Sequence, residues 1–388
     1  MKIGIVTRPS EEQWGGDLRA LYTMRDGLRS LGHEVQTAPD AGRLLGCDFV
    51  FLSNTCLDQR QNHARLARAG RPFGVIGFHE DFIGYAPACF GFERYVESHL
   101  RGVRDGGFAF ALERLLESPE IVHYFSGPPG RYALNNYEVM RNARVCIANS
   151  PTEERTMRRD CPAARTRVVL LTAGLAEGWS GARSDEFLRL TGLARGEYIL
   201  QVGRLEPRKN QLGSVLATRE LDTPLVFVAT SLRRSYRKSF LRAVKRYRRA
   251  RTLLVCPARR AARDGALEVV PMPRGGRLSE SCLRSAYQNA GLHLHPAFHE
   301  RPGYTVLESV KLGVPTVASR WTPIRDYFEH GGSADADGLV DYVTPHHLGE
   351  IEQSTRKMFG RLARPSTNAI FSRTDRDLAA ELLRAIED

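Results

Sequence analysis

The sequence predicts an α/β protein of two doubly wound, Rossmann-like domains. Three observations support this. Short β-branched runs alternate with amphipathic stretches along the chain. The alternation lapses once, over residues 176–184, where Gly, Ser and Ala replace periodicity. The length of 388 residues suits two domains at roughly 100 to 200 residues each. The expected division is 1–178 and 179–371, with a last helix over 372–388 packing back on the first domain.

In chain order, residues 2–7 form a first buried strand, which Trp14, Gly15 and Gly16 interrupt. Leu18, Leu21, Tyr22, Met24, Leu28 and Leu31 then recur at helical spacing, Gly32 stops the helix, and 33–35 begin the next strand. Strand, glycine turn, helix, strand is a βαβ opening. Further strands are expected at 48–52, 74–78, 121–125, 145–148 and 168–171. A second series follows the linker, at 198–202, 225–229, 252–255, 267–270, 292–295 and 316–318, with a closing helix at 375–386.

Composition excludes several classes. With 42% hydrophobic and 26% charged residues the chain is no disordered polyelectrolyte. The net charge of +12 invites a nucleic-acid reading, but thirteen of the 56 basic residues and none of the 44 acids fall in 231–263. The excess is a local patch, and no nucleic-acid motif accompanies it. That segment reads as a solvated helix face, with an anionic membrane surface or an anionic acceptor as the alternatives. Seven cysteines, an odd number with no C-x-x-C, suggest neither a disulfide framework nor a zinc site and fit a reducing compartment. The opening MKIGIVTRPS has too short an apolar run for a secretory signal. No run of eighteen apolar residues occurs. The expected location is cytoplasmic, either free or peripheral on the inner face of the membrane.

Two segments of the second half carry chemistry. In Gln201-Val-Gly-Arg-Leu-Glu-Pro-Arg-Lys-Asn-Gln211, Gly203 turns the chain out of a strand, and Arg204 and Lys209 follow before a helix. Ligands of open α/β sheets bind at the carboxyl ends of strands. Two cations five residues apart there suit a diphosphate, the plain alternative being two solvated loop cations. In the second segment, from His295 to Ser319, Glu300 follows a strand and a helix begins near Gly303. The backbone N–H groups of Gly303, Tyr304 and Thr305 suit phosphate oxygens. Glu300 and Glu308 suit sugar hydroxyls, Glu300 those of a transferred sugar and Glu308 those of a ribose.

Here the sequence resembles the retaining glycosyltransferases of GT-B family 4. V-G-R-L-x-P-x-K-N, then E-x(7)-E with Gly at its fourth position, then G-V-P-T-V-A-S occur in the family's order. The Gly-Gly turn, the helix ending L-x-x-L-G-H-E-V, Ala148-Asn149-Ser150 and Thr172-Ala173-Gly174 match as well. The chain departs from many relatives in Arg301-Pro302 after the first Glu and in Thr305, positions that shape the donor-sugar pocket. The resemblance implies two Rossmann-like domains facing across a cleft. It implies that Arg204 and Lys209 bind the donor diphosphate, Glu300 the donor sugar and Glu308 the ribose. It also implies that Gly15 and Gly16 let the first-domain loop approach the phosphates. His79, just after a strand end, stands as the active-site histidine, with a structural histidine as the plain reading and His123 as its rival.

The resemblance implies transfer of a hexose-type sugar from a nucleoside-diphosphate sugar to a hydroxyl of a glycan, lipid-linked or small-molecule acceptor. Configuration would be retained, with no cofactor and no metal, protein cations replacing Mg²⁺. The acceptor would bind mainly to the first domain. There Phe90, Phe92, Tyr95, Phe108 and Phe110 mix with Arg94, Arg101 and Arg104, as an acceptor or membrane contact or as ordinary packing. The competing readings are a nucleotide-sugar epimerase of the same fold and a non-catalytic nucleotide-sugar-binding partner subunit. A dinucleotide dehydrogenase is disfavoured, since Gly15-Gly16 is not G-x-G-x-x-G.

Overall fold

Short apolar runs bounded by glycine turns pair here into two sheets. The structure, a computed structural model, describes residues 1–7, 15–101, 131–172, 175, 179, 181–230, 234–273, 276–361, 364 and 366–387. Among these, the first sheet contains β1 (Lys2–Val6), β2 (Glu34–Ala38), β3 (Phe49–Ser53), β4 (Phe73–Ile76), β5 (Val145–Ala148) and β6 (Thr166–Val168). They are parallel, in the order β2-β1-β3-β4-β5-β6. The second sheet contains β7 (Ile199–Val202), β8 (Leu225–Val228), β9 (Thr252–Cys256), β10 (Ala262–Asp264), β11 (Leu267–Pro271), β12 (Leu292–His295), β13 (Thr316–Ser319) and β14 (Val340–Val343). Their order is β10-β11-β9-β8-β7-β12-β13-β14, with only β10 antiparallel to its neighbour. Helices cover both faces, so central strands such as FVFLS of β3 and TLLVC of β9 are buried throughout.

The differences from the expected strands have local causes. β10 and β14 were not expected. β10 is exposed along its length and lies at the end of the basic segment, so no apolar pattern marks it. It exists because it folds back antiparallel on β11. β14 reads VDYV, with two half-buried polar-ended positions inside. The run 168–171 ends early: Val169 N–H still reaches the carbonyl of Ala148 at 2.9 Å, but β6 stops at Val168 as the chain leaves the sheet. The run 74–78 stops at Ile76, and Phe78 turns away with φ 44°. The expected strand 121–125 and His123 lie outside the described residues, as do Trp14, Ala173, Gly174 and most of 176–180.

Sheet order places the site. In the first sheet the direction of winding reverses between β1 and β3, and in the second between β7 and β12. Such switch points open crevices at the carboxyl ends of the strands. The Gly15–Gly16 turn lies beyond β1, Arg204 to Lys209 leave β7, and Glu300 follows β12. β7 and β12 are hydrogen-bonded neighbours, pairing Ile199 with Leu292.

The two halves touch. The helix Phe82–Arg101 of the first half lies against the helix Arg234–Tyr247 and the Pro207–Lys209 turn of the second. Its Val96 joins a core made of second-half residues such as Leu212 and Phe240, and Phe92 packs on Phe298 with ring centroids 5.9 Å apart. Phe92 thus serves packing, whereas Tyr95 is exposed. Arg104, Phe108 and Phe110 lie outside the described residues. The last helix, Asp375–Glu387, packs on the helix Gly16–Ser30.

The basic segment resolves into two kinds of residue. The helix Arg234–Tyr247 buries Tyr236, Phe240, Ala243 and Val244 and turns Arg237, Lys238, Arg242, Lys245 and Arg246 outward. Arg248 instead is buried and donates to the carbonyls of Thr218, Leu221 and Thr223, so part of the excess charge ties a loop together. Among the described residues no helix is long and apolar enough to cross a membrane. The cysteines are free, and all but Cys56 are buried.

Candidate active site

The second-half loops are stitched into one body. Asn210 adopts a left-handed conformation, φ 57°, and caps the helix Gln211–Ala217 by accepting from the Gly213 N–H. Its side-chain amide donates to the carbonyls of Pro296 (2.8 Å) and Pro345 (2.6 Å). Gln201 donates to the Lys209 carbonyl and Gln211 to that of Arg204, each at 2.8 Å. The Phe298 N–H donates to the Arg208 carbonyl, also at 2.8 Å. The loop after β7 and the loop after β12 are therefore held in register, although about ninety residues separate them.

That register brings Lys209 onto Glu300, which accepts a hydrogen bond from its ammonium group. His295, at the end of β12, holds the same carboxylate oxygen at 2.5 Å. Burial pushes the Glu300 carboxyl up, but Lys209 and His295 outweigh it and hold it well below the usual range. Burial draws the Lys209 ammonium down from its ordinary value against the pull of Glu300. Arg204 stays partly exposed, 3.4 Å from Glu206. Burial pushes the Glu206 carboxyl up, but Arg208 and Arg204 bring it down to about 2.

Two helix N-termini meet here. The helix Tyr304–Lys311 starts from Gly303, at φ 98°, a conformation costly for any residue with a Cβ. The helix Gly16–Ser30 starts from Gly15. Neither has a side-chain cap among the described residues, and helix N-termini leave backbone N–H groups without partners inside the helix. Gly16 abuts Tyr304: a Cβ there would lie 2.8 Å from the ring. The ring is pinned, since its hydroxyl donates to the Leu171 carbonyl at 3.0 Å. Thr305 adds a buried hydroxyl oxygen without a hydrogen-bond partner among the described residues. Uncapped N–H groups, an unsatisfied hydroxyl and nearby cations suit an anion. Gly16→Ala is expected to push the helix off Tyr304 at a cost of about 1–3 kcal/mol. A lower Tm and weaker nucleotide binding would follow; unchanged values of both would mean that the ring gives way.

Glu308 lies one turn further along the helix, buried, with Arg19 Nη1 2.5 Å from one oxygen and the Tyr287 hydroxyl 3.4 Å from the other. Burial dominates and pushes its carboxyl up to about 7, against the pull of Arg19.

His79 makes its described side-chain contacts within the first half. Its Nδ1 lies 2.8 Å from the Thr55 hydroxyl and its Nε2 2.8 Å from Asp160. Its backbone N–H donates to Glu153, which also accepts from the Asn149 N–H, in the helix that Ser150 caps. Both ring nitrogens are thus engaged within the first half. Its neighbour Glu80 faces the cleft instead. Arg208 approaches one oxygen at 3.4 Å and Arg301 the other at 2.9 Å, and Tyr85 donates to the first. Burial pushes the Glu80 carboxyl up, but Arg301 and Arg208 more than offset it and leave it far below the usual range. Tyr85 also stacks on His299 at 4.7 Å and 9°, and Arg301 reaches Cys56 at 2.7 Å. Burial brings the His299 ring down to about 3, so it is neutral. The sequence marks Arg301 as a departure in the donor-sugar pocket and does not single out Glu80, Arg208, His295 or Arg19. The one available signal was Arg208, sharing a loop with Arg204 and Lys209.

The sequence matches no family model and no curated protein. The fold, however, is similar to solved structures over the whole chain. A sucrose-phosphate synthase from Thermosynechococcus elongatus aligns with a TM-score of 0.62 and 14% identity, over 99% of this chain and 96% of that one. HepE of Anabaena, solved in complex with UDP, aligns with a TM-score of 0.62 and 13% identity over 100% of both chains. A Listeria monocytogenes protein described as a UDP-N-acetylglucosamine 2-epimerase aligns at 0.52 and 11% identity, over 100% of this chain and 96% of that one. At such identities the likeness establishes the fold: this is the GT-B fold of glycosyltransferases, as the resemblance implied.

Proposed function

We propose that the protein is a glycosyltransferase that moves a hexose-type sugar from a nucleoside-diphosphate sugar to an acceptor hydroxyl, metal-independently and with retention of configuration. The observation that carries this reading is the meeting of two helix N-termini without side-chain caps, Gly16 against Tyr304 and Gly303 against Glu300 with its partner Lys209, while Arg204 shares the Lys209 loop and Glu308 lies a turn further on. Departure of a nucleoside diphosphate builds negative charge on the β-phosphate and positive charge on the anomeric carbon. Arg204, Lys209 and the backbone N–H groups of Gly303 to Thr305 would stabilise the phosphate as that charge grows. Glu300, ionised and aimed by His295 and Lys209, would accept donor-sugar hydroxyls. The acceptor hydroxyl, from a glycan, a lipid-linked or a small molecule, would enter on the leaving-group face and pass its proton to a phosphate oxygen. No protein nucleophile is needed on that route.

Thermal unfolding against UDP, GDP, dTDP, ADP and CMP, in EDTA, tests the donor site. A nucleotide at about 100 times its dissociation constant adds roughly 2.7 kcal/mol to the folded state. A rise in Tm with one diphosphate, unaffected by EDTA, is the expected outcome. No rise with any of them, even with Mg²⁺ added, would refute the donor site. Conversion of the matching nucleotide sugar to an epimer without an acceptor would replace transfer by epimerisation.

A further inference from the structure

We infer that Arg19 is the first half's own contribution to nucleotide binding: it holds the Glu308 carboxylate for a ribose diol and ties that contact to closure of the two halves. The inference rests on the donor reading above and deepens it. Arg19 lies one helical turn from Gly16 on the same face, so the residue that abuts Tyr304 and the residue that reaches Glu308 act together. Its guanidinium carbon is 5.8 Å from the Trp179 ring centroid and 5.6 Å from that of Tyr304. Both rings are buried, and the cation sits in the slot they form. Trp179 comes from the stretch between the sheets and Tyr304 from the second half, so Arg19 bridges all three parts.

The contact leaves acceptor capacity on Glu308 for a ligand. An ionised carboxylate offers about four lone-pair positions. Arg19 takes one of them on Glu308, and the Tyr287 hydroxyl stands 3.4 Å from the other oxygen. A vicinal diol can donate its two hydroxyls to the remainder without displacing Arg19. The groups facing the carboxylate are Arg19 from the first half, Tyr304 from its own helix and, from the helix Glu280–Gln288, Tyr287 and the more distant Glu280. Arg19 is the cation among them, and it opposes the burial that lifts Glu308 to about 7. The sign follows. A protonated Glu308 has lost acceptor capacity, so diol binding strengthens as pH rises through about 7. Without Arg19 that rise moves to higher pH. Because Arg19 reaches Glu308 across the cleft, a ligand that needs the ionised carboxylate favours the closed arrangement.

The test is calorimetric binding of UDP and of 2′-deoxy-UDP, from about pH 6 to about pH 9, to the wild type, Arg19→Ala, Arg19→Lys and Lys209→Ala. The wild type is expected to prefer UDP by roughly tenfold, the scale of a hydrogen bond to a charged group. Arg19→Ala should lose that preference near neutral pH and regain it at higher pH, and Arg19→Lys should restore most of it. Lys209→Ala should weaken both ligands alike and keep the preference. If Arg19→Ala keeps the full preference and the wild-type pH profile while Lys209→Ala weakens binding, Arg19 is a packing residue and the donor site stands. If the wild type binds neither ligand nor any other nucleoside diphosphate, the donor reading falls and takes this inference with it.

Discussion

Lys209→Ala is expected to lower the rate of sugar transfer by roughly 10²–10³, the usual cost of removing one preorganised donor from a developing negative charge. The loss has two parts. The ammonium no longer faces the diphosphate, and among the described residues Glu300 keeps His295 as its close partner. Lys209 is among the cations that hold the Glu300 carboxyl well below the usual range, so in this variant it should titrate higher. The variant should therefore lose activity more steeply towards acid pH than the wild type. Single-turnover rates with the nucleotide sugar that binds, measured across pH, would check both points. A rate within a few-fold of wild type would remove Lys209 from the machinery.

Glu80→Ala is expected to loosen the contact between the halves. Glu80 lies between Arg208 and Arg301, and all three side chains are largely or partly buried, at 8%, 24% and 14% exposure. Breaking a buried pair by removing one partner costs about 3–5 kcal/mol, because the charge left behind has lost its water and gains nothing. Here two guanidiniums are left, although Arg208 keeps Glu206 at 2.7 Å. The least costly relief is for the cleft to open and let water in. The expected outcome is a lower Tm with a larger radius of gyration in solution scattering. Glu80→Gln, which keeps the size of the side chain and its acceptor oxygen, should be milder. If Glu80→Ala alters neither quantity, the cross-cleft pairs contribute nothing to closure.

The fold was largely legible because its signals are local. Alternation of apolar runs such as those of β1, β7 and β12 with amphipathic stretches needs only neighbouring residues to be recognised. What escaped lacked such a signal: β10 is exposed and charged, and it pairs only because β11 is beside it. The candidate site was legible where a loop carries its own chemistry, as in Arg204 to Lys209 or Glu300 to Glu308. It was not legible in the first half. His79 is marked only as a histidine at a strand end, and its ring contacts Thr55 and Asp160. Glu80, one residue on, pairs with Arg208 and Arg301 of the second half, and nothing in the residues around it announces those partners.

The sequence by itself determined two wound α/β halves, the glycine turn that precedes the first helix, and the second-half segment in which cations and then glutamates follow successive strand ends. Each is a pattern among residues close in the chain, governed by backbone preference, periodicity and charge spacing. The tertiary structure decided which side chains meet across the cleft. Arg19 and Glu308 are separated by 289 positions, Glu80 and Arg301 by 221. Their contact depends on strand order, on the switch points that order creates, and on the approach of one half to the other. Those are long-range geometric facts, fixed by how two cores close against each other, and no local pattern encodes them.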